Sequence, residues 1–242
     1  MARILLLGGT EEAREIAERL AEAGADFVVS LAGRTSAHDY PGTVRIGGFG
    51  GEEALADYLR EEGIGVLVDA THPFAGAISP AAKRAAKAAR ARYYRIERRP
   101  WRRAMGDRWV DVASLEEAAE VLDEGARVFL AIGAGGLRPF LARRDLTIVA
   151  RTIEPPDLGT RNDVIVIRDR GPFDIDSERE LFARYDFDAM VTKNSGGDST
   201  AAKLVAARER HVKVYMVHRP RGQPWPNART VDQMMRKLRR HL

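Results

Sequence analysis

The sequence predicts an α/β protein built on two mainly parallel sheets, and three observations carry that prediction. Short apolar runs alternate with amphipathic stretches along almost the whole chain, the pattern of doubly buried strands joined by crossover helices. Several runs end in Gly-rich turns: Gly8-Gly9, Gly133-Ala134-Gly135-Gly136 and Gly196-Gly197. The rhythm breaks once, at Glu97-Arg98-Arg99-Pro100-Trp101, and then restarts. The break predicts two Rossmann-like domains, 1–97 and 98–242, the second ending in a C-terminal helix. An active-site cleft is expected between them.

Ile4–Leu7 reads as a buried strand. Gly8-Gly9-Thr10 turns it into a helix whose Ala13, Ile16, Ala17 and Leu20 share one face. The first N–H groups of such a helix, with its dipole, favour an anion. Thr10 can cap the helix or bond a phosphate oxygen. In register with G-x-G-x-x-G/A stand Gly8, Thr10 and Ala13, so a Thr replaces the middle glycine of the dinucleotide fingerprint.

Asp26–Leu31 is the second strand. An NAD site ends this strand with an acid that holds the ribose hydroxyls. Here no carboxylate follows until Asp39, and Arg34, Thr35 and Ser36 offer a guanidinium and two hydroxyls. Those groups suit a 2′-phosphate and point to NADPH. Val44–Ile46 is a short strand, and Glu52–Glu62 a helix with Leu55, Tyr58 and Leu59 inward. Val66–Ala70 is a buried strand running into Thr71-His72-Pro73-Phe74. Ligands of open α/β sheets lie at the carboxyl ends of strands, which puts Thr71 and His72 beside a bound nicotinamide. A residue before proline is held extended, and histidine titrates near neutrality. His72 is therefore the candidate proton donor. Pro80–Arg92 is a helix and Tyr93–Ile96 a strand.

After the crossover, Trp109–Val112 is a strand, and Ser114 with Glu117 forms a capping box for the next helix. Val128–Ile132, Leu146–Ile153, Val164–Ile167, Ala189–Thr192 and Val212–Val217 are further strands. Ser177–Tyr185 and Thr200–Arg210 are helices, and a Pro-rich turn at 220–226 precedes the last helix. The turns Gly133–Gly136 and Lys193–Gly197 offer backbone donors, with Arg151, Lys193 and Lys203 adding positive charge. This half is expected to hold carboxylates or phosphates.

Composition narrows the chemistry. The chain has 242 residues and no cysteine, which excludes disulfides, iron–sulfur clusters and thiolate zinc sites. The five histidines lack metal-ligand spacing, so no metal is expected. No stretch approaches the ~20 apolar residues of a membrane span, and no signal-peptide pattern is seen, so a cytoplasmic location with no membrane partner is expected. Thirty-nine basic residues are largely offset by thirty-five acidic ones. The densest basic run, Lys83–Arg92, reads as a solvated helix face, so no nucleic acid is expected. No tyrosine is followed by lysine four positions on, which removes the Tyr-x-x-x-Lys pair of short-chain dehydrogenases.

Six short motifs follow one another: ILLLGGTEEAR at 4–14, VDATHPFA at 68–75, ERRPW at 97–101, ARTIEPP at 150–156, TKNSGG with Thr200 and Lys203, and VYMVHRP at 214–220. In this order they resemble the precorrin-6A reductases of cobalamin biosynthesis, over nearly the whole chain. The resemblance implies an NADPH-dependent oxidoreductase without flavin or metal. It implies hydride delivery to C19 of a tetrapyrrole, precorrin-6A, with a proton arriving at C18 to give precorrin-6B. Hand-over to other corrin-pathway enzymes is a further implication. On the matching motifs the expected cofactor residues are Gly8, Gly9, Thr10, Glu11, Arg14, Arg34, Thr35, Ser36, Thr71, Pro73 and Phe74. The expected substrate residues are Gly135, Gly136, Arg151, Lys193, Ser195, Gly196, Gly197, Thr200 and Lys203. Two alternatives stand beside this reading: an NADP-sensing binding protein without turnover, and a reductase of the cobalt-containing ring.

Overall fold

The structure is a computed structural model that describes residues 1–33 and 40–242. Two compact units divide the chain. One comprises Met1–Arg99 with Pro220–Leu242, the other Pro100–Arg219.

The first unit begins with β1 (Arg3–Leu7), α1 (Glu11–Glu22), β2 (Phe27–Leu31), β3 (Thr43–Ile46) and α2 (Glu52–Glu61). It continues with β4 (Ile64–Asp69), α3 (Ile78–Ala88) and β5 (Arg92–Arg95). The strands form a wholly parallel sheet in the order β3-β2-β1-β4-β5. Successive residues of β1 point to opposite faces. Ile4 and Leu6 join Ile16, Ala17 and Leu20 of α1, while Leu5 and Leu7 join Leu55 and Leu59 of α2 and Ala82 and Ala85 of α3. Each large side chain so buried contributes about 1.5–3 kcal/mol. Thr10 stops the strand and starts α1, its Oγ1 accepting the N–H of Ala13 at 3.1 Å. Glu11 and Glu12 in the first turn complement the helix dipole.

The second unit carries β6 (Trp109–Val112), α4 (Leu115–Glu120), β7 (Arg127–Ala131), α5 (Arg138–Leu141) and β8 (Thr147–Thr152). Then come β9 (Ile165–Arg168), α6 (Ile175–Tyr185), β10 (Ala189–Lys193), α7 (Ala202–Glu209) and β11 (Lys213–Val217). Its sheet is also parallel throughout, in the order β6-β11-β10-β7-β8-β9. Phe129, Phe182 and Phe187 pack edge-to-face and stacked at its core. Half of the expected capping box forms: Ser114 Oγ accepts the Glu117 N–H, while the Glu117 carboxylate reaches past the cap and accepts the N–H of Ala113.

The C-terminal helix, α8 (Val231–Leu238), which the sequence rhythm places in the second domain, packs instead in the first unit. Its Val231, Met234 and Leu238 join the α1 face of the first sheet. The bond from Ala2 N–H to the His241 carbonyl and the Arg19–Asp232 ion pair hold it there. The apolar spacing of α8 specifies a buried face but not which sheet receives it.

Candidate active site

Each sheet has one place where the strand order reverses, and there the loops after neighbouring strands diverge and leave a crevice. In the first unit that place lies between β1 and β4. Leu7 stands beside Asp69 in register, so the turns after both strands start at the same level. The Thr10 hydroxyl spans the crevice and donates to the Ala70 carbonyl at 2.7 Å. With its one proton there and one lone pair on Ala13 N–H, Thr10 is a brace and cap rather than a phosphate donor.

Gly8 sits where a Cβ would come within 2.9 Å of Leu31 and 3.2 Å of Val29, so only glycine lets the turn hug β2. Gly9 adopts φ 105°, in the left-handed region, and its N–H donates to the Tyr40 hydroxyl at 3.0 Å. Tyr40, which is buried, in turn reaches the Thr10 carbonyl at 3.3 Å. The N–H groups of Thr10, Glu11 and Glu12 find no acceptor among the described residues. They form the anion-facing end of α1, so the turn fits a dinucleotide phosphate through backbone donors.

Around the end of β4, Asp69 is fully buried. Its Oδ1 accepts the N–H of Thr71 at 3.1 Å and the Thr71 hydroxyl at 2.7 Å, and its Oδ2 accepts the Tyr93 hydroxyl at 2.7 Å. Burial first, then the charge of Asp69, drives the Tyr93 phenol far above its ordinary range, so it keeps its proton. Arg95, 2% exposed, lies with Nε 3.7 Å from Asp69, pairs with Glu97 and donates to the Pro224 carbonyl. His72 follows, half-buried, its Nδ1 accepting the Phe74 N–H at 3.2 Å. That bond leaves the proton of a neutral ring on Nε2. Arg98 of the crossover clasps Glu12 with both carboxylate oxygens at 2.8 and 2.9 Å. Thr10, Glu12, Thr71, Pro73 and Arg98 line a small pocket over the crevice.

Of the expected cofactor residues, Gly8, Gly9, Thr10, Thr71, Pro73 and Phe74 lie on the two turns that flank this crevice, with the candidate proton donor His72 among them. The side chains of Glu11 and Arg14 are exposed, and Glu12 rather than Glu11 lines the pocket. Arg34, Thr35 and Ser36 lie outside the described residues.

In the second unit the reversal falls between β10 and β7, where Thr192 stands beside Ala131. Lys193 bridges it, its Nζ donating to the Ile132 carbonyl at 2.9 Å. The turn that follows is held by its carbonyls. Arg219 donates to those of Asn194 and Ser195, and the Trp101 indole N–H donates to that of Gly197 at 2.8 Å. The Asn194 side chain pairs with both backbone groups of Trp101. Gly196 and Gly197 take φ 69° and 85°. The N–H groups from Gly196 to Thr200 have no acceptor among the described residues. Lys203 is buried, donates to the Thr200 carbonyl and lies 4.6 Å over the Trp101 ring.

Two expected anion residues of this half have other work. Arg151 is paired with buried Glu178 at 2.6 Å and stacks 3.7 Å over Phe173, so its charge is already neutralised. Gly136 is a packing glycine, since a Cβ there would meet Leu115 at 3.0 Å and Ile132 at 3.2 Å. Gly135 is exposed in the same short 3-10 turn. Tyr40, Asp69, Arg98, Asn194 and Arg219 escaped the sequence reading as site residues. Asp69 carried the clearest signal, an acid closing a run of buried strand residues.

No group of three or more His, Asp or Glu residues among those described could hold a metal ion. No helix among the described residues is long and apolar enough to cross a membrane.

The model of the family described as precorrin-6x reductase CbiJ/CobK matches residues 3–239. A precorrin-6A reductase of Rhodococcus erythropolis is 43% identical over 236 residues, covering 96% of this chain and 94% of that protein. A cobalt-precorrin-6A reductase of Priestia megaterium is 34% identical, covering 90% of this chain and 91% of that one. A solved structure titled CobK precorrin-6A reductase superposes with a TM-score of 0.90 at 39% identity, over 100% of this chain and 97% of that one.

Proposed function

The chain belongs to the precorrin-6x reductase family, and from that premise we propose that it reduces precorrin-6A with NADPH in cobalamin biosynthesis, as a cytoplasmic enzyme. The observation that carries the reading is the match along nearly the whole chain to proteins of that name, at 43% identity in sequence and a TM-score of 0.90 in structure. The metal-free ring is the favoured substrate, because the relative named for it shares 43% identity and the one named for the cobalt form 34%.

NADPH supplies, when bound, the hydride that goes to C19 of the ring. This chain's residues supply the rest. The N–H groups of Thr10, Glu11 and Glu12 hold the pyrophosphate, and Gly8 lets the turn lie close against β2. Arg34, Thr35 and Ser36 receive the 2′-phosphate. His72 delivers its Nε2 proton to C18 from the imidazolium form, since a neutral ring would be left as imidazolate. Lys193 and the N–H groups of Gly196 and Gly197 hold acetate and propionate arms, with Thr200 and Lys203 shaping that turn. The test is to follow NADPH oxidation with precorrin-6A and its cobalt form offered separately. Oxidation with neither overturns the reading.

A further inference from the structure

We propose that Thr71 reads the carboxamide N–H of the nicotinamide ring, as a hydroxyl that can only accept. The inference rests on the cofactor reading above and goes to a contact that reading leaves open. Its first support is a proton count. The Thr71 hydroxyl lies 2.7 Å from Asp69 Oδ1, and a carboxylate has no proton to offer, so Thr71 is the donor in that bond. A hydroxyl has one proton. In its contact with Ser79 Oγ at 3.4 Å Thr71 must therefore be the acceptor.

Among the described residues, the neighbours of Asp69 uphold that assignment. Asp69 Oδ1 also takes the Thr71 N–H, which fixes the carboxylate under its own turn. Oδ2 is filled by the Tyr93 hydroxyl, whose proton is held firmly, and the Arg95 guanidinium flanks the same oxygen. Asp69 is thus a positioning residue: it turns Thr71 into an acceptor. The remaining lone pair of Thr71 belongs to a side chain that lines the pocket with Thr10 and Pro73.

The second support is location. A dinucleotide crosses the reversal point of the sheet. With its 2′-phosphate end beyond β2 and its pyrophosphate at the α1 turn, the nicotinamide end falls on the β4 side, where Thr71 sits. Of the groups at that end, the carboxamide NH2 and the ribose hydroxyls can donate, and the phosphate oxygens cannot. Only the amide is attached to the ring, so an acceptor that takes its N–H fixes the rotation of the ring, and with it the face presented to substrate.

The experiment measures the Kd of NADP⁺ and of its analogue bearing an acetyl group in place of the carboxamide, by calorimetry on the whole protein. The analogue keeps the ring, the ribose and the phosphates but has no N–H. The ratio of the two Kd values in wild type is compared with that in Thr71→Val and Thr71→Ser. Thr71→Val should erase about three- to tenfold of the preference for the carboxamide, the worth of one hydrogen bond. Thr71→Ser should keep it. If Thr71→Val does not fold, Thr71→Ala reads the same ratio. An unchanged ratio overturns the assignment. So does an equal loss for both ligands, which marks a ribose contact. A wild-type protein that binds neither dinucleotide defeats the cofactor reading itself, and the inference with it.

Discussion

The Thr10 hydroxyl donates to the Ala70 carbonyl at 2.7 Å and ties the turn after β1 to the turn after β4. The same oxygen caps α1 through the Ala13 N–H. One side chain therefore sets both the helix start and the width of the crevice. Thr10→Val keeps the volume and removes both bonds. It should cost about 1–3 kcal/mol, the sum of a lost cap and a lost hydrogen bond. Thr10→Ser should recover most of it. Urea midpoints of the three proteins decide the matter, and equal midpoints would show that the brace is idle.

The C-terminal contact makes stability depend on pH. His241 Nε2 lies 3.1 Å from the Tyr94 hydroxyl, with Arg240 on the same oxygen. Burial, then the charges of Arg240 and Arg92, holds its pKa below the ordinary histidine value. The unfolded chain thus binds a proton more readily than the folded one. The contribution is present above the unfolded pKa, about 6.5, and is lost as the pH falls from there through the lower folded value. Urea midpoints should drop between neutral and mildly acidic pH, and His241→Gln should flatten that drop. A slope unaffected by the substitution places the pH dependence elsewhere.

Much of this molecule was legible in sequence because it is local. Ile4–Leu7, the Gly8-Gly9 turn and the face of Ala13, Ile16, Ala17 and Leu20 lie within twenty residues, and all formed as their spacing predicts. Tyr40 was not legible, since its role depends on a turn thirty residues away in the chain. Gly136 was misread for a related reason. A glycine that admits Leu115 and Ile132 looks the same in sequence as one that admits an anion. The cluster of buried Asp69 and Arg95 with half-buried Tyr93 and Glu97 joins two neighbouring strand ends, a pairing that only sheet order discloses.

Cofactor choice turns on Arg34, the guanidinium that follows β2 in the sequence. A charge-assisted contact to a 2′-phosphate is worth about 1.5–3 kcal/mol. NADPH should therefore bind about ten- to a hundredfold more tightly than NADH, and Arg34→Ala should remove most of that preference. Equal wild-type affinities for the two would sink the NADPH assignment.

In the second unit Lys193 holds the Ile132 carbonyl across the β10–β7 crevice, beside a turn whose carbonyls are held by Arg219 and Trp101. Lys193→Ala should raise the KM for the tetrapyrrole while leaving NADPH affinity nearly unchanged. The reverse pattern would place the cofactor, not the substrate, on this turn.

His72 is the sharpest test of the chemistry. Its Nδ1 is engaged by the Phe74 N–H at 3.2 Å, and its ring lies 5.9 Å from that of Phe74, so the imidazole is held in one orientation with Nε2 as its proton-bearing atom. A conjugated ring accepts hydride readily, and placement of the reactants supplies much of the rate. The proton at C18 is the step left for a side chain. General acid catalysis is worth about 10²–10⁴-fold, so His72→Asn should lower kcat by at least about tenfold if His72 delivers that proton. Asparagine is close in size and can still accept the Phe74 N–H, so the turn should survive and NADPH affinity should hold. The pH profile of kcat separates the roles: a donor leaves an ionisation that disappears in the variant. A fall of less than roughly threefold at every neutral pH, far short of general acid catalysis, would mean that water delivers the proton and His72 shapes the pocket.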